Sequence, residues 1–258
     1  MYAFAHHRPT SVADAVKAAT SSSQGVYLAG GMTLIPTLKQ RLADPKDLID
    51  LAALADLREI KPSGGGLSIG AMATHNAVAQ DGTIPALSAL AEGIGDPQVR
   101  NCGTIGGSLA NNDPAADYPA AVLALNAQIK TDQRTIASDD YFQGLFTTAL
   151  APGELIVRVD VPKPDSANYQ KFANPASRYA LVGVMVARTG GDVRVAVTGA
   201  GSDGVFRFTA AEQALASDFS PGAVPEVDAG MMSSDIHAAS DYRAHLVKIL
   251  TQRAVAES

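Results

Sequence analysis

Residues 99–120 constrain this chain more than any other stretch of its sequence. Gly103 and the pair Gly106–Gly107 lie close together there, and two carboxylates, Asp113 and Asp117, follow. Glycine lets the backbone turn through conformations that other residues resist, and it can approach a ligand without an intervening side chain. Successive N–H groups in such a segment can converge on an anion. We therefore interpret this stretch as a loop that binds a diphosphate, with the carboxylates available to donors on the same ligand.

A second glycine pair stands earlier in the chain, between an apolar run and a helix start. Residues 26–36 contain Gly30–Gly31 followed by Thr33, a suitable N-cap. The free N–H groups at the start of a helix form an anion site. Neither glycine pair has the G-x-G-x-x-G or P-loop pattern of a Rossmann fold or a kinase. Three leucines at four-residue spacing predict a helix over residues 33–42: Leu34, Leu38 and Leu42.

Composition narrows the classes of function. The chain has 258 residues, 47% of them hydrophobic, so it exceeds one typical domain and can build a sizeable core. A net charge of −6 and the absence of a dense Lys/Arg cluster argue against nucleic acid as a partner. The N-terminus has no apolar run of signal-peptide length, and no uninterrupted apolar stretch approaches the length of a bilayer span. We therefore expect a cytoplasmic protein without a membrane span.

Cysteine and histidine usage points away from metal chemistry in this chain. Cys102 is the single cysteine, so an iron–sulfur cluster, which takes four ligands, must belong to a partner. We interpret Cys102 as a small residue that fills a tight loop. The histidines lack the spacing of a metal site; we expect His237 and His245 at the surface and assign no role to His75. No nucleophile with an activating base is evident, so we expect no catalytic residue.

Three regions follow one another along the chain. Residues 1–54 alternate helix and strand and predict a βαβ-like lobe, with Ser11 at the start of its first helix. Residues 55–165 predict short strands and helices, and a Pro-rich linker follows, so residues 166–258 form a third region. Within the second region we predict a strand over 57–60, a helix that starts at Thr74, and helices over 86–94 and 119–127.

The third region begins with a hairpin signal. Valines alternate with other residues on both sides of Gly190–Gly191, which predicts two antiparallel strands with one buried face. Because this region lacks glycine-rich motifs, we interpret it as a packing or docking module. Four residues at helical spacing near the end of the chain predict a packed helix: Tyr242, Leu246, Ile249 and Leu250.

The two stretches with glycine pairs resemble a known pair of sequence signatures. Ala29–Thr33 and Thr104–Ser108, the latter followed by Asn112–Ala121, are similar to the two FAD-binding signatures of the flavoprotein (medium) subunit of molybdenum hydroxylases, the family of carbon monoxide dehydrogenase and xanthine dehydrogenase. The resemblance covers nearly the whole chain. Four shorter pieces fall in the family's order and roughly its spacing: Ile69–Thr74, Pro152–Ile156, Tyr169–Phe172 and Tyr242–Leu246.

The resemblance implies an α+β fold. It implies a two-lobed FAD-binding domain of the PCMH type, similar to vanillyl-alcohol oxidase, with lobe 1 over residues 1–54 and lobe 2, a mixed sheet with helices, over residues 55–165. A C-terminal α+β domain of the carbon monoxide dehydrogenase flavoprotein type follows over residues 166–258.

The resemblance also implies which residues bind FAD. The glycines would give N–H donors to the diphosphate, hydroxyls would add donors, Asp117 aligns with a cofactor-binding carboxylate, and Lys171 would stabilise charge on the reduced ring. No catalytic or metal-ligating residue is implied. The implied cofactor-binding residues are Ala29, Gly30, Gly31, Met32, Thr33, Ile94, Thr104, Ile105, Gly106, Gly107, Ser108, Asp117, Ile156 and Lys171.

By resemblance, the chain is the FAD-containing electron-transfer subunit of an oxidoreductase complex. A large subunit with a molybdopterin cofactor and a small subunit with two 2Fe–2S clusters would be its partners, in a dimer of heterotrimers. Electrons would pass from the clusters to FAD and then to an external acceptor. Two alternatives stay open: a self-contained FAD-dependent oxidase or reductase of the same fold family, and a non-enzymatic nucleotide-binding or assembly module.

Overall fold

A parallel three-stranded sheet opens the computed structural model of the protein, which describes residues 1–258. Five elements build this part: β1 (Ala5–His7), α1 (Val12–Ser21), β2 (Gly25–Leu28), α2 (Leu34–Lys39) and β3 (Asp47–Asp50). The strand order is β1–β3–β2, and both pairings are parallel. Parallel neighbours need a crossover connection, which α2 supplies between β2 and β3. This is the βαβ pattern that the sequence predicts for the start of the chain.

The two helices of this part differ in how well the sequence predicts them. Ser11 caps α1 as predicted, because its hydroxyl accepts a hydrogen bond from the N–H of Asp14 at 3.1 Å. The predicted helix over residues 33–42 is wrong in its last turn. Arg41 adopts a left-handed conformation with φ 59°, which ends helices, and Leu42 is 74% exposed.

A five-stranded antiparallel sheet and a group of short helices form the second part. The strand order is β4–β5–β10–β6–β7, and β8 pairs separately with β9. The elements in chain order are β4 (Ile60–Ser63), β5 (Gly66–Gly70), α3 (His75–Asp81), α4 (Pro85–Glu92), α5 (Pro97–Cys102), α6 (Ile105–Asn111), α7 (Tyr118–Ala124), β6 (Gln128–Thr131), β7 (Thr135–Ala137), α8 (Ser138–Tyr141), β8 (Phe142–Gly144), β9 (Thr147–Thr148) and β10 (Ile156–Pro162).

The stretch over residues 99–120 is not a loop, contrary to the sequence interpretation. It contains the end of α5, all of α6 and the start of α7. Two side chains start these helices: the carboxylate of Asp96 accepts from the N–H of Val99 at 2.9 Å, and the hydroxyl of Thr104 accepts from the N–H of Gly107 at 3.1 Å. N-cap residues of these types are strong helix starts, so the signal was present in the sequence.

Other predicted elements of this part begin or end at different residues. Ala55–Arg58 forms a turn of 3₁₀ helix, and the predicted strand over 57–60 begins only at Ile60. The helix at Thr74 is confirmed, because the Thr74 hydroxyl accepts from the N–H of Ala77 at 3.2 Å. Both α4 and α7 end before the predicted residues 94 and 127.

The third part is a four-stranded antiparallel sheet covered by two helices. The predicted hairpin is confirmed, because Thr189 pairs with Asp192 across Gly190–Gly191. The prediction of one buried face is wrong. Val184 packs in the core beneath the helices, whereas its neighbour Met185 packs in the core of the second part. The elements are β11 (Ser166–Ala173), β12 (Ala180–Thr189), β13 (Asp192–Thr198), β14 (Phe206–Arg207), α9 (Thr209–Ser217) and α10 (Ser240–Ala256).

The C-terminal helix α10 buries a different stripe from the predicted one. Leu246 and Leu250 are buried as expected, but Tyr242 is 43% exposed and Ile249 is only half-buried. The guanidinium of Arg243 takes an interior position instead, with hydrogen bonds to the carbonyl oxygens of Leu181 and Gly199 at 2.8 and 2.7 Å. None of the helices has the length and apolar composition that crossing a membrane demands.

Hydrophobic packing connects the three parts. Ile49 of the first sheet shares one cluster with Met72 and Leu155 of the second part. The hairpin of the third part shares the main cluster of the second, as described for Met185. The division of the chain at residues 54 and 165 stays a prediction.

Candidate cofactor site

The two glycine segments lie against each other. We define the first glycine segment as residues 29–34 and the second as residues 103–108. A methyl group on Gly30 would lie 2.0 Å from the carbonyl oxygen of Cys102 and 2.8 Å from the Cα of Gly103. Only glycine at position 30 permits this approach. Cys102 does not fill a loop; it ends α5 and is exposed.

The first glycine segment carries unpaired backbone donors. The N–H groups of the five consecutive residues Gly30–Leu34 donate no hydrogen bond within the chain, and the first helical bond is that of Ile35 to the Gly31 carbonyl, at 3.0 Å. Gly31 adopts a left-handed conformation with φ 71°. Thr33 occupies the N-cap position, but its hydroxyl accepts no capping bond. Consecutive free N–H groups at the start of a helix are the donor set that an anion requires.

The second glycine segment has used most of its donors. Its helix start pairs with residues 71–74, which lie alongside. The expectation that Gly106 and Gly107 give N–H donors to a ligand is therefore wrong. The N–H of Thr104 alone keeps no acceptor within the chain. The five bonds are Gly103 to Val99 (2.7 Å), Ile105 to Ala73 (3.1 Å), Gly106 to Ala71 (2.9 Å), Gly107 to the Thr104 hydroxyl (3.1 Å) and Ser108 to the Thr104 carbonyl (3.0 Å).

A gap remains between the two segments at Gly107. A methyl group there would lie 3.5 Å from the Cβ of Ala29 and 2.9 Å from the Thr104 hydroxyl, with no other atom within 4 Å. The half-buried Ser108 hydroxyl has no partner in the chain. Gly107 therefore contributes space rather than a donor. Two other predicted site residues lie differently: Met32 is 42% exposed, and Ile105 is fully buried in the core.

Asp117 and Lys171 form a second cluster that the sequence assigns to the same site. The Asp117 carboxylate, 4% exposed, lies 3.0 Å from the Lys171 ammonium and accepts a hydrogen bond from the Tyr169 hydroxyl at 2.6 Å. Lys171 also donates to the carbonyl of Gly93 at 3.1 Å, which brings Ile94 beside this cluster. Burial raises the pKa of Asp117, whereas Lys171 and Tyr169 act to lower it. Three of the predicted residues thus meet here: Ile94, Asp117 and Lys171.

Ile156 is a core residue. Its side chain packs in the main core, 4% exposed. Successive residues of an extended chain point to opposite faces, and the preceding Leu155 packs instead in the cluster that contacts Ala29. Leu155 is therefore the residue of this pair nearer the first glycine segment. It stands one position before Ile156, the residue that the resemblance implies.

Sequence reasoning also left His75 without a role, although it lies beside the site. A methyl group on Gly103 would lie 2.4 Å from Nε2 of His75. Burial lowers the pKa of His75 to about 4, with a smaller contribution from Arg100, so the ring is neutral near pH 7. Its Nδ1 has no hydrogen-bond partner. His237 and His245 are exposed, as predicted.

Comparison with known proteins gives concordant matches. The sequence model of the FAD-binding domain in molybdopterin dehydrogenases matches residues 2–164. Over 270 residues the chain is 36% identical to the nicotine 6-hydroxylase medium subunit of Paenarthrobacter nicotinovorans, an alignment that covers 97% of this chain and 95% of that protein.

Two solved structures are similar over nearly the whole chain. Quinoline 2-oxidoreductase from Pseudomonas putida 86 superimposes with a TM-score of 0.88 at 30% identity and covers 99% of this chain and 96% of its own matched chain. Reconstituted CO dehydrogenase from Oligotropha carboxidovorans gives a TM-score of 0.87 at 31% identity, with coverages of 99% and 97%. The mixed helix-and-sheet fold that the resemblance implies is confirmed.

Proposed function

The chain belongs to the family of FAD-binding medium subunits of molybdenum hydroxylases, and from this premise we propose that it is the electron-transfer subunit of such a complex. A large subunit with a molybdopterin cofactor would oxidise the substrate, and a small subunit with two 2Fe–2S clusters would deliver the electrons. FAD, when bound, supplies a carrier that accepts and releases electrons. The presence of one cysteine supports the assignment of the clusters to a partner.

The five unpaired N–H groups of the first glycine segment are the observation that carries this proposal. The diphosphate of FAD is an anion, and a row of free backbone donors at a helix start fits it. We assign the N–H of Thr104 and the hydroxyl of Ser108, across the gap, and the hydroxyl of Thr33, in the first glycine segment, as further donors. Gly107 keeps the gap open, and Ala29 forms its opposite wall.

We assign the flavin ring to the cluster around Asp117. A carboxylate offers about four acceptor positions, so Asp117 retains capacity for a ligand donor beside its bonds to Tyr169 and Lys171. The ammonium of Lys171 would stabilise negative charge on a reduced ring, and Ile94 would supply apolar contact. Ile156 would pack in the core behind the site.

The assembly and its location belong to the same proposal. We propose that the chain consists of two FAD-binding lobes, at residues 1–54 and 55–165, and a C-terminal domain at residues 166–258. A dimer of heterotrimers in the cytoplasm is the expected arrangement. Purification of the native complex tests it: a molybdopterin subunit and a cysteine-rich small subunit are expected, and turnover by the isolated chain with a small alcohol or NADPH would favour a self-contained enzyme.

FAD binding itself is tested on the purified chain, alone and with its partners. We expect a flavin absorption spectrum. We expect FAD content to fall in Gly107→Val, because the side chain fills the gap, and in Asp117→Ala, because a proposed contact is lost. Gly191→Val is the matched control for Gly107, since no atom lies within 4 Å of a methyl group at position 191. A folded, colourless preparation that takes up no added FAD would contradict the proposal.

A further inference from the structure

Tyr169 contacts the predicted site although no motif assigns it a role. Its hydroxyl donates to Oδ1 of Asp117 at 2.6 Å, within the range of a short, charge-assisted hydrogen bond. Tyr169 and Lys171 stand two positions apart on β11, so both side chains leave the same face of the sheet. The strand therefore presents a neutral donor and a cation to one carboxylate.

The neighbouring strand leaves room for this hydroxyl. Gly183 of β12 pairs with Lys171, and a methyl group at position 183 would lie 2.2 Å from the Tyr169 hydroxyl. Any larger residue at position 183 would displace the tyrosine from Asp117. The contact thus depends on two positions, Tyr169 and Gly183, in separate strands.

The carboxylate in turn restrains the lysine. The Lys171 side chain is 11% exposed, and its ammonium has two acceptors within the chain, the Asp117 carboxylate at 3.0 Å and the Gly93 carbonyl at 3.1 Å. Rotation of Asp117 would change the position and the neutralisation of this charge. The Tyr169 hydroxyl holds one oxygen of the carboxylate and so opposes that rotation.

We propose that Tyr169 is a positioning residue for the flavin: its hydroxyl fixes the Asp117 carboxylate and, through it, the Lys171 ammonium beside the ring. The inference rests on the proposed function, because the ring must lie at this cluster. Tyr169 does not touch the reacting atoms. It sets how much of the Lys171 charge the ring experiences, and therefore the potential of the bound flavin.

The test uses the full chain loaded with FAD and compares Tyr169→Phe with the unchanged protein. Without the hydroxyl, Asp117 is free to neutralise Lys171 more completely, so the midpoint potential of the flavin shifts to a more negative value. Gly183→Ala, which pushes the same hydroxyl away without removing it, shifts the potential in the same direction.

Tyr141→Phe is the matched control. Tyr141 is fully buried, and its hydroxyl donates to the neutral carbonyl of Leu109 at 3.1 Å. This variant loses one hydroxyl from the core but leaves the Asp117 cluster intact, so the flavin potential stays unchanged. In an Asp117→Asn background, Tyr169→Phe produces no further shift, because the two residues act through one contact.

The outcomes separate this inference from the proposed function. An unchanged chain that takes up no FAD overturns both. FAD uptake with the same potential in Tyr169→Phe as in the unchanged protein overturns the positioning role alone. Equal shifts in Tyr169→Phe and Tyr141→Phe, or additive shifts of Tyr169→Phe and Asp117→Asn, also overturn it.

Discussion

The first and second glycine segments share a sequence pattern but not a structural state. Each combines a glycine pair with a threonine at a helix start. Thr104 caps its helix, and the following N–H groups are bonded within the chain. Thr33 makes no capping bond, and the N–H groups of Gly30–Leu34 stay free. The first segment offers free N–H donors, and the second, whose N–H groups are mostly bonded within the chain, packs against it.

The cause of this difference lies outside both segments. Residues 71–74 run alongside the second segment and offer carbonyl acceptors to Ile105 and Gly106. No strand offers acceptors to the first segment, which leaves the carboxyl end of β2 and turns into α2. A glycine pair in a sequence therefore predicts a tight approach of backbones. Whether its N–H donors are available to a ligand depends on the chain segment that lies alongside it.

Gly30→Ala should give the largest loss and tests whether the segments must touch. A methyl group 2.0 Å from a backbone carbonyl oxygen cannot be accommodated by a side-chain movement. We expect the free energy of unfolding to fall by about 3 kcal/mol or more, together with loss of FAD. Urea unfolding measures the first effect, and Gly191→Ala, in open space, is the control. A stable Gly30→Ala protein would show that the segments can separate.

Glu154→Gln should give the next largest loss of stability. Glu154 stabilises a loop, and this loop contacts β2, the strand that precedes the first glycine segment. The Tyr27 hydroxyl of β2 donates to the Gly153 carbonyl at 2.7 Å. The buried Glu154 carboxylate accepts from Arg134 at 2.9 Å and from Thr131 at 2.7 Å. Hydrogen bonds from Arg134 are the main reason that the pKa of Glu154 is lowered to about 2. We expect a loss of about 2 kcal/mol at pH 7.

The pH dependence of that loss follows from the direction of the shift. A carboxyl whose pKa is lowered in the folded state stabilises the protein above its unfolded pKa, near 4.5 for Glu154. This contribution is lost as the pH falls from 4.5 towards 2. The stabilities of Glu154→Gln and of the unchanged protein should therefore converge on acidification. A constant difference between pH 7 and pH 3 would contradict the assignment.

Thr104→Ala and Thr33→Ala should have the smallest effects on the free energy of unfolding, and the two effects should differ. Loss of the Thr104 cap should cost about 1 kcal/mol, because its hydroxyl accepts from the N–H of Gly107. Thr33→Ala should leave the free energy of unfolding of the FAD-free protein nearly unchanged, because its hydroxyl caps nothing. Thermal unfolding without FAD measures both. Equal losses would show that the two segments are capped alike.

Local signals in the sequence predicted the elements that depend only on local residues. The cap of α1 at Ser11 and the turn at Gly190–Gly191 appear in the structure as predicted. The caps Asp96 and Thr104 were equally local, but the glycine-rich composition of residues 99–120 favoured a loop interpretation. The family resemblance supplied the cofactor and the fold, which the comparisons confirm.

Contacts between distant residues could not be predicted from local patterns. Lys171 and Asp117 lie 54 positions apart, and only the packing of α7 against β12, the neighbour of β11 in the sheet, brings them together. The burial of both faces of β12 depends on a second core that its alternating valines do not reveal. The N–H acceptors of Gly106 and Ile105 likewise come from residues more than thirty positions earlier in the chain.

Amide hydrogen exchange, measured with and without FAD, tests whether the free N–H groups of the first glycine segment bind the diphosphate. In the FAD-free protein, the amides of Gly30–Leu34 should exchange rapidly, and those of Ile105–Ser108 should be protected. Added FAD should protect Gly30–Leu34 and change Ile105–Ser108 little. If FAD binds while the amides of Gly30–Leu34 exchange at the same rate as before, the first glycine segment does not bind the diphosphate.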